Sequence, residues 1–392
     1  MRLWYTDCRM PPSIDAPLRD LLSELVAIDS VNPTLVPGGA GEQRIARHIA
    51  DWLGARGFEV QLQDTGEPGR PNAVGVLRGT GGGRSLMLNG HVDTVGVTGM
   101  DDPHGSRIED GRLYGRGAMD MKGGVAAMLH AAARAAQERP RGDVIVTAVA
   151  DEEHSSLGTE AALREYRTDA AIVTEPSALA VTLWHRGFVW VDVEVDGVAA
   201  HGSRPEEGVD AIAKMGSILV GIEELGRSLA SGPAHPMLGT GSVHASLIEG
   251  GQELSSYPAT CRLQLERRTI PGEDAALVLG EIEAIIARAA EADPALRARA
   301  AVTFERKPFE QDRGGDIVVA VADAVREVTG DEPVYASHPA WMDASLISAA
   351  GIPVVVVGPA GEGLHGELEW VDLASVQQCS DAILAAIRRF CG

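Results

Sequence analysis

Residues 144–156 read VIVTAVADEEHSS, a run of β-branched and small apolar residues that ends in three adjacent acids. The run from Val144 to Val149 is typical of a strand that is buried on both faces, as in a parallel sheet covered by helices. Asp151, Glu152 and Glu153 follow directly at the end of this strand. Because buried like charges repel one another, this ending predicts a positive charge close to the acids.

The segments around this strand alternate between helix and strand patterns. Apolar residues at helical spacing predict helices over residues 15–29 and 45–53, and Ala-rich or apolar segments predict two more over 122–138 and 372–390. Strands are predicted at FEVQLQ, NAVGVLRG, SLMLN and AIVTEPS, and a buried strand at VVVVG. This alternation predicts an α/β fold with a mixed, mostly parallel sheet flanked by helices.

The pattern changes near residue 186. The segments FVWVDVEVDG, GSVHASLIEG and ATCRLQLERR alternate apolar and polar residues, which is typical of antiparallel strands with one exposed face. Helices are predicted over 210–225 and 273–294, and a further strand over 301–305. We therefore predict an inserted α+β, ferredoxin-like domain over 186–307, and a first domain made of 1–185 and 308–392.

Composition excludes several classes of partner. The net charge of −22 argues against nucleic acids and against anionic membranes, because both are bound through clustered Lys and Arg. The N-terminal segment is not typical of a signal peptide, and no apolar run approaches the ~20 residues of a membrane span. The scattered residues Cys8, Cys261, Cys379 and Cys391 favour neither a disulfide framework nor a thiolate zinc site, so we expect a cytoplasmic protein.

Residues typical of metal ligands follow the predicted strands of the first domain. In chain order they are His91, Asp93, Asp120, Glu152, Glu153, Glu175 and His365. Ligands of open α/β sheets collect beyond the carboxyl ends of the strands, so these side chains are expected to converge. Histidines and carboxylates without thiolates favour Zn²⁺, with Co²⁺ or Mn²⁺ as alternatives. There are more carboxylates than one ion needs as ligands, which favours two ions that share one carboxylate. The positive charge predicted beside Asp151, Glu152 and Glu153 is then metal.

Local spacing predicts the orientation of four of these residues. Adjacent residues on extended backbone point in opposite directions, so Glu152 and Glu153 are expected to face different neighbours. His91 and Asp93 are two positions apart and share one side of the chain. Asp93 is therefore expected to accept a hydrogen bond from the ring N–H of His91 and to orient it.

Five motifs follow one another along the chain: GHVDTV, GRGAMDMKGG, ADEEHSSLGT, TEPS and LHGELEWV. Together they resemble the co-catalytic zinc amidohydrolases and metallopeptidases, the family of acetylornithine deacetylase, succinyl-diaminopimelate desuccinylase, aminoacylase and glutamate carboxypeptidase. The resemblance runs from about residue 17 to the end of the chain. It implies a catalytic α/β domain with an inserted lid domain through which two subunits form a homodimer.

The resemblance also implies a role for each residue of the centre. His91 and Glu175 would bind one zinc ion, Glu153 and His365 the other, and Asp120 would bridge them with a cis peptide bond after it. Glu152 would be the general base that takes a proton from the water between the ions and returns it to the leaving amine, which agrees with carboxylate chemistry at metal sites. Taken singly, Asp120 or Glu175 is more typical of a cap or a turn, but the common motif order favours the metal assignment.

The resemblance extends to the predicted lid. GVAAHGSRPEEGVDAI contains His201, which in relatives reaches the partner subunit's active site and stabilises an oxyanion. LQLERRTIPGE contains Arg268, whose guanidinium would hold a substrate carboxylate. Ser255 stands where many relatives have Asn, and Trp341 where they often have a glycine-rich loop, so both bear on the choice of substrate. Lys122 is expected to support the loop before its helix, and Gly124 to allow close packing.

These features predict a metal-dependent amide hydrolase that removes an N-acyl group from an amino acid or a short peptide-like substrate. A dipeptidase or carboxypeptidase and an N-carbamoyl amino acid hydrolase are alternatives within the same chemistry. A catalytically silent, metal-binding regulatory protein on the same fold is the alternative from another class. The presence of Glu152 argues against it, because a pure binder has no use for a base at that position.

Overall fold

The computed structural model describes residues 14–392. The N-terminal segment tested for a signal peptide, and Cys8 within it, lie outside the described residues. The helices are α1 (Ala16–Ala27), α2 (Gln43–Gly54), α3 (Gly123–Glu138), α4 (Leu157–Glu165), α5 (Ala211–Ala230), α6 (Ala275–Ala292), α7 (Asp316–Thr329), α8 (Ala344–Ala349) and α9 (Leu373–Cys391). Within residues 14–392, none of the helices combines the length and the apolar character needed to cross a bilayer.

Strands are distributed along the whole described chain. They are β1 (Glu59–Gln63), β2 (Asn72–Leu77), β3 (Leu86–His91), β4 (Arg107–Glu109), β5 (Arg112–Tyr114), β6 (Val144–Val149), β7 (Ala170–Val173), β8 (Val181–His185), β9 (Gly187–Asp196), β10 (Ser242–Gly250), β11 (Thr260–Thr269), β12 (Arg297–Arg306), β13 (Phe309–Glu310), β14 (Tyr335–His338), β15 (Val354–Val356), β16 (Gly361–Glu362) and β17 (Trp370–Asp372). Strand β6 has the bounds predicted from the sequence, and all six of its residues are buried.

The chain forms two compact units. Unit 1 comprises the described residues up to Leu183 together with Gln311–Ala336 and Met342–Gly392. Unit 2 comprises Trp184–Glu310 and Ser337–Trp341. Residues 184–185, 308–310 and 337–341 thus belong to unit 2, whereas the sequence placed them in the first domain. The reason is pairing and packing, since β13 pairs with the end of β8 and the ring of Trp341 packs near that of Phe188.

Unit 1 contains a mixed sheet in the strand order β1-β2-β6-β3-β7-β15-β8. The four central strands β6, β3, β7 and β15 are parallel, and the strands outside them run antiparallel. Helices flank the sheet: α3 packs on α9 and β3, and α2 packs on β1 and β2. The α/β fold predicted from the sequence is therefore confirmed.

Helix α3 lies unusually close to the end of β7. A Cβ atom on Gly124 would lie 1.9 Å from the carbonyl oxygen of Thr174, so only glycine fits at that position. This contact confirms the packing role predicted for Gly124. It also fixes the start of α3 beside the residue that follows Thr174, which is Glu175.

A second, small sheet of unit 1 has the order β16-β17-β5-β4 and is antiparallel throughout. It was not predicted, because strands of two or three residues are too short to give a readable alternation of apolar and polar residues. The sheet places the segment 363–369, with His365, beside the loop 115–120 that leads to Asp120.

Unit 2 contains a four-stranded antiparallel sheet in the order β10-β11-β9-β12. Alternate residues of β9 and β11 are buried against α5 and α6, including Val191, Val193 and Leu263. The chain order β-α-β-β-α-β is that of a ferredoxin-like unit, as predicted. Helix α5 extends five residues beyond its predicted end at 225, and β12 begins at Arg297 rather than at 301.

Candidate metal centre

The residues typical of metal ligands converge at the carboxyl edge of the parallel strands. His91 is the last residue of β3, Glu152 and Glu153 follow β6, and Glu175 follows β7. Asp120 lies in the irregular turn 118–122 before α3, and His365 lies between β16 and β17. All six belong to unit 1. The folding reason is the parallel sheet itself, whose strand ends share one edge.

The first group of ligand atoms surrounds the ring of His91. Its Nε2 lies 3.1 Å from Asp120 Oδ1 and 3.6 Å from Glu175 Oε1. The side chain of His91 is almost fully buried. His91, Asp120 and Glu175 therefore offer one nitrogen and two oxygens to a single point.

The second group shares Asp120 with the first. His365 Nε2 lies 3.3 Å from Asp120 Oδ2 and 3.1 Å from Glu153 Oε2. Each oxygen of the Asp120 carboxylate thus faces a different histidine, which is the geometry that a bridging ligand requires. The peptide bond between Asp120 and Met121 is cis, as the family resemblance implied.

Glu152 is set apart from both groups. Its Oε2 lies 4.0 Å from His91 Nε2, farther than the oxygens of Asp120 and Glu175. The side chain is mostly buried, at 11% exposed. A buried carboxylate next to a ligand group, but outside it, is placed to exchange a proton there.

The carboxylates of the centre carry more negative charge than their surroundings neutralise. Burial raises the pKa of Glu152 and of Glu175 well above the usual range, although the charge of His91 opposes it. Burial likewise raises the pKa of Glu153 against a hydrogen bond from His365. Such an excess of buried acid, with nitrogen and oxygen donors aimed at two points, fits a divalent cation at each point.

The two histidines respond to the same charge. The hydrogen bonds to Asp120 and Glu153 raise the pKa of His365 to about 10. Burial opposes the charging of His91, but the hydrogen bond to Asp120 and the charge of Glu175 raise its pKa well above the usual value. Burial would also raise the pKa of Asp120, but its bonds to the two histidines hold it below the usual range. The excess of carboxylates at the centre thus raises the pKa of both histidines.

The contacts of Asp93 with His91 differ from those expected from the sequence. His91 Nδ1 lies 3.0 Å from the backbone carbonyl oxygen of Asp93, whereas the Asp93 carboxylate is 3.6 Å away. The carboxylate accepts instead from the backbone N–H groups of Glu152 and Glu153, at 3.1 and 3.2 Å. Residues 152–155 form a turn rather than extended chain, so this turn separates the two glutamates. Asp93 therefore holds the turn and the histidine at once.

Of the three adjacent acids after β6, Asp151 has an arginine as its partner. Arg70 NH1 lies 2.7 Å from Asp151 Oδ1, and Arg70 Nε donates to Glu42 Oε2 at 2.9 Å. Asn32 Nδ2 bridges Asp151 Oδ1 and Asp93 Oδ2, at 3.0 and 2.8 Å. For Asp151 the metal expectation is therefore wrong, because a buried guanidinium already balances it. Sequence reasoning missed this cluster, whose members are far apart in the chain.

Glu369 was also missed. Its carboxylate accepts hydrogen bonds from the backbone N–H groups of Gly117, Met119 and Asp120, at 2.9 to 3.1 Å, and from Arg116 NH1 at 2.7 Å. The side chain is fully buried. Glu369 thus fixes the backbone that carries Asp120. The signal available in the sequence was its position in the motif LHGELEWV, where only His365 had received a role.

Two more buried charged groups lie close to the centre in unit 1. Lys122 Nζ donates to the carbonyl oxygen of Ile28 at 2.8 Å, and burial lowers the pKa of Lys122 to about 7. The contact supports the loop before α3, as expected. Asp343 accepts a hydrogen bond from Thr159 Oγ1 at 2.6 Å, and burial raises its pKa to about 6.

Four further candidate residues, three from the predicted lid and Trp341 from the predicted first domain, all lie in unit 2 and form two separate pairs. His201 and Ser255 lie in neighbouring loops, where Gly202 N donates to Ser255 O and residue 201 pairs with Ser256. Arg268 and Trp341 both lie beside the ring of Phe188, at 5.2 and 6.5 Å from its centre. The pairs belong to opposite ends of the β9–β11 pair, where Arg268 faces Phe188 and Thr260 faces Asp196.

Known proteins resemble this chain over most of its length. The model of the family described as Peptidase family M20/M25/M40 matches residues 87–389. An acetylornithine deacetylase from Myxococcus xanthus is 32% identical and covers 96% of this chain, which covers 98% of that protein. An N-formyl-4-amino-5-aminomethyl-2-methylpyrimidine deformylase from Bacillus subtilis is 30% identical, with 91% and 92% covered.

The fold is similar to that of solved proteins of the same family. A Bacillus subtilis protein described as a dinuclear metal-binding peptidase from the M20 family has a TM-score of 0.74 and is 16% identical. The similarity covers 95% of this chain and 96% of that one. The family model matches most of the chain, and both relatives are at least 30% identical over more than nine tenths of it. This protein therefore belongs to peptidase family M20/M25/M40, as an enzyme of that hydrolase family.

Proposed function

We propose that this protein is a metal-dependent amide hydrolase that removes an N-acyl group from an amino acid or a short peptide-like substrate. The observation that carries the proposal is the arrangement of unit 1: two ligand groups share Asp120, and the buried Glu152 lies beside them without belonging to either. The names of the two relatives support it, since one is a deacetylase and the other a deformylase.

Two zinc ions are the proposed cofactors, with cobalt or manganese as alternatives. His91, Asp120 and Glu175 would hold one ion, and Asp120, Glu153 and His365 the other. Bound there, the ions would polarise the scissile carbonyl. They would also lower the pKa of a bound water, so that it can lose a proton near neutral pH and attack that carbonyl. The donor set supports zinc, because imidazole nitrogens and carboxylate oxygens are its usual ligands in catalytic sites.

Glu152 is the proposed general base. Its burial raises the pKa, which brings the carboxylate closer to neutral pH and improves its ability both to take and to return a proton. It would accept a proton from the attacking water and deliver it to the nitrogen of the departing amine. Asp93 would contribute by position, because it holds the backbone of Glu152 and the ring of His91.

Arg268, Ser255 and Trp341 are proposed to recognise the substrate. The guanidinium of Arg268 would bind a substrate carboxylate through paired N–H donors. The two relatives differ in the amine half of their named substrates, which is ornithine in one and a substituted pyrimidine in the other. The residues around Arg268 are therefore where specificity is expected to differ.

His201 is proposed to act on the active site of a partner subunit in a cytoplasmic homodimer. Within one chain His201 and Arg268 lie at opposite ends of a strand pair, roughly 25 Å apart at 3.3 Å per residue, so one chain cannot bring both to one small substrate through this sheet. The edge strand β10 exposes Leu247 (61%) and Ile248 (52%), which suits pairing with a second copy. Sedimentation of the protein as a monomer at working concentration would contradict the dimer.

The test is amine release from N-acetyl, N-succinyl, N-formyl and N-carbamoyl amino acids and from dipeptides. Metal-stripped protein is assayed with and without added zinc or cobalt, beside Glu152→Gln and the surface control Glu67→Gln. We expect turnover that requires metal, is unchanged in the control and falls about 10²–10⁴-fold in Glu152→Gln. If zinc binds at both groups but no substrate is turned over, the silent metal-binding protein becomes the better assignment.

A further inference from the structure

Unit 2 carries an aromatic cluster of which the proposed function uses only Trp341. Phe188, Trp190, Phe304 and Trp341 form it, and we call it the aromatic shelf. The ring centre of Phe188 lies 5.4 Å from Trp190, 5.9 Å from Phe304 and 6.5 Å from Trp341, and Trp190 lies 5.2 Å from Phe304. Aromatic residues make up only 4% of the chain, so three of them grouped around the ring of Phe188 mark a special surface.

The shelf lies on the face of the sheet that α5 and α6 leave uncovered. Along β9, Phe188 and Trp190 alternate with Val189 and Val191, which are buried in the core of unit 2. Trp190 is 40% exposed although it is one of the largest apolar side chains. Exposed aromatic rings of this kind are typical of ligand-binding surfaces.

The polar atoms of the two tryptophans are satisfied within the protein. Trp190 Nε1 donates to Glu266 Oε2 at 2.9 Å, and Trp341 Nε1 donates to the carbonyl oxygen of Lys307 at 3.1 Å. These bonds hold the indole rings in place. The guanidinium of Arg306 lies over the rings of Phe304 and Trp341, at 4.4 and 5.5 Å from their centres. What the shelf offers to a ligand is therefore the remaining ring surface and the ring edges, and the matching chemistry is a flat ring that stacks or packs edge to face.

Arg268 stands at the margin of the shelf, with its guanidinium 5.2 Å from the ring centre of Phe188. Its Nε donates to Glu266 Oε1 at 2.6 Å. Within residues 14–392, the side-chain hydrogen bonds of Arg268 involve Nε alone, so the two terminal nitrogens remain available for an anion. Glu266 thus anchors both Arg268 and Trp190, and it fixes a carboxylate-binding fork beside the aromatic rings.

We propose that the aromatic shelf binds a flat aromatic ring on the same half of the substrate as the carboxylate held by Arg268. In an aromatic amino acid only Cα and Cβ separate the ring from the carboxylate, so binding of the carboxylate at Arg268 places the ring beside Phe188. The preferred substrates are then N-acyl derivatives of aromatic amino acids. The inference rests on the proposed function, which assigns the carboxylate contact to Arg268.

The first test compares N-acetyl-phenylalanine, -tyrosine and -tryptophan with N-acetyl-leucine and -ornithine. The metal-loaded protein is assayed beside Trp341→Leu, Phe304→Leu, the ring-preserving Trp341→Phe and the control Trp184→Leu, whose ring lies outside the shelf. For the aromatic substrates we expect each Leu variant of the shelf to raise KM about 3- to 10-fold with kcat unchanged, as the loss of one ring contact implies. Trp341→Phe retains most of the preference, and the control retains all of it.

A second test does not depend on turnover. Calorimetry of the full chain measures binding of 3-phenylpropanoate and 3-cyclohexylpropanoate, which have the same carboxylate and similar size but differ in the aromatic ring. We expect the aromatic acid to bind at least about 3-fold more tightly, and the difference to disappear in Trp341→Leu. Equal affinity of the two acids for the unmodified protein overturns the inference.

The two tests separate failure of the inference from failure of the proposed function. Metal-dependent turnover that needs Glu152 but shows no aromatic preference overturns the shelf and leaves the hydrolase intact. Preferential binding of 3-phenylpropanoate without turnover of any substrate supports the shelf and contradicts the hydrolase. A shelf variant that weakens both acids equally has lost only the carboxylate site and also overturns the inference.

Discussion

Two sets of buried acids lie side by side in unit 1, and they differ in what balances them. The first set, Glu42 and Asp151, surrounds the guanidinium of Arg70, and we call these three residues the Arg70 cluster. The second set is the candidate metal centre, where the ion-pair partners of Glu152, Glu153 and Glu175 within residues 14–392 are histidines. Asp151 and Glu152 are neighbours in sequence, so the contrast arises within one turn of the chain.

The pKa values follow this contrast. Burial would raise the pKa of Asp151, but hydrogen bonds from Ser155 and Asn32 and the charge of Arg70 lower it below the usual value. Burial raises the pKa of Glu152 well above the usual value, and no described Lys or Arg forms an ion pair with it. Arg70 thus balances Asp151 within the chain, although burial still raises the pKa of Glu42 against its hydrogen bond from Arg70, and the excess acid of the candidate metal centre fits cations.

The largest expected effect is that of removing metal. Chelation should reduce amine release to the background rate, and zinc should restore it. Added zinc should also raise the free energy of unfolding of the stripped protein, by about 2.7 kcal/mol at about 100 times its Kd, because it binds only the folded centre. Thermal unfolding with and without zinc measures this shift. Full activity of a protein shown by elemental analysis to hold no metal would remove the distinction between the two sets of acids.

The next effect is the loss of the cation within the Arg70 cluster. Arg70→Met should cost about 3–5 kcal/mol of stability, because it leaves Glu42 and Asp151 buried without their partner. The loss should be equal with and without zinc, since the cluster does not depend on the ions. Urea unfolding of both forms measures it, beside the exposed control Arg44→Met in α2. A cost below about 1 kcal/mol, as for a surface pair, would show that the cluster is not balanced as described.

The contrast also marks what the sequence could predict. Strand β6 was predicted to the residue, because a run of buried β-branched and small residues ends one residue before three acids. The convergence of His91, Glu153 and Glu175 followed from parallel strand ends, a rule that needs no knowledge of distant contacts. Local pattern and motif order were therefore sufficient for the sheet and for the positions of the candidate ligands.

The partners of those residues could not be predicted. Arg70 reaches Asp151 across 81 positions of sequence, and Arg116 reaches Glu369 across 253. No local periodicity encodes such pairs, which depend on how loops fold over the edge of the sheet. For the same reason the sequence offered metal as the only positive charge beside the three acids and did not predict Arg70 as the partner of Asp151. The aromatic shelf was missed because Phe304 and Phe188 meet only through the pairing of β12 with β9.

Glu369 offers a test between the two sets, because it is internally balanced yet holds a candidate ligand. Glu369→Gln should weaken zinc binding about 10- to 100-fold, since an amide nitrogen cannot accept from the N–H groups of Gly117 or Asp120. Competition with a chromogenic chelator measures the affinity. The exposed neighbour variant Glu367→Gln is the control. Unchanged zinc affinity in a folded Glu369→Gln protein would show that the loop holds Asp120 without this carboxylate.

Asp343 belongs to neither set and predicts the smallest effect. It is buried, and within the described residues its Oδ1 has no hydrogen-bond partner, so burial raises its pKa to about 6 from the usual value of 3.8. Between these values the folded state binds the proton more tightly than the unfolded state. The contribution to stability is therefore full below the unfolded pKa and is lost as the pH rises through about 6.

This loss of stability with rising pH can be measured in metal-stripped protein. When the pH falls from about 8 to about 5, the folded protein should gain about 1.4 kcal/mol of stability from Asp343. The reason is that pH 5 lies about one unit below the folded pKa of about 6, and one unit corresponds to about 1.4 kcal/mol. Asp343→Asn should lose this gain, because the amide does not titrate, whereas the exposed control Asp101→Asn should keep it. Urea unfolding at the two pH values gives the difference between variant and parent. If that difference is the same at both, the Asp343 carboxylate is ionised throughout, and a cation or a donor must balance it as Arg70 balances Asp151.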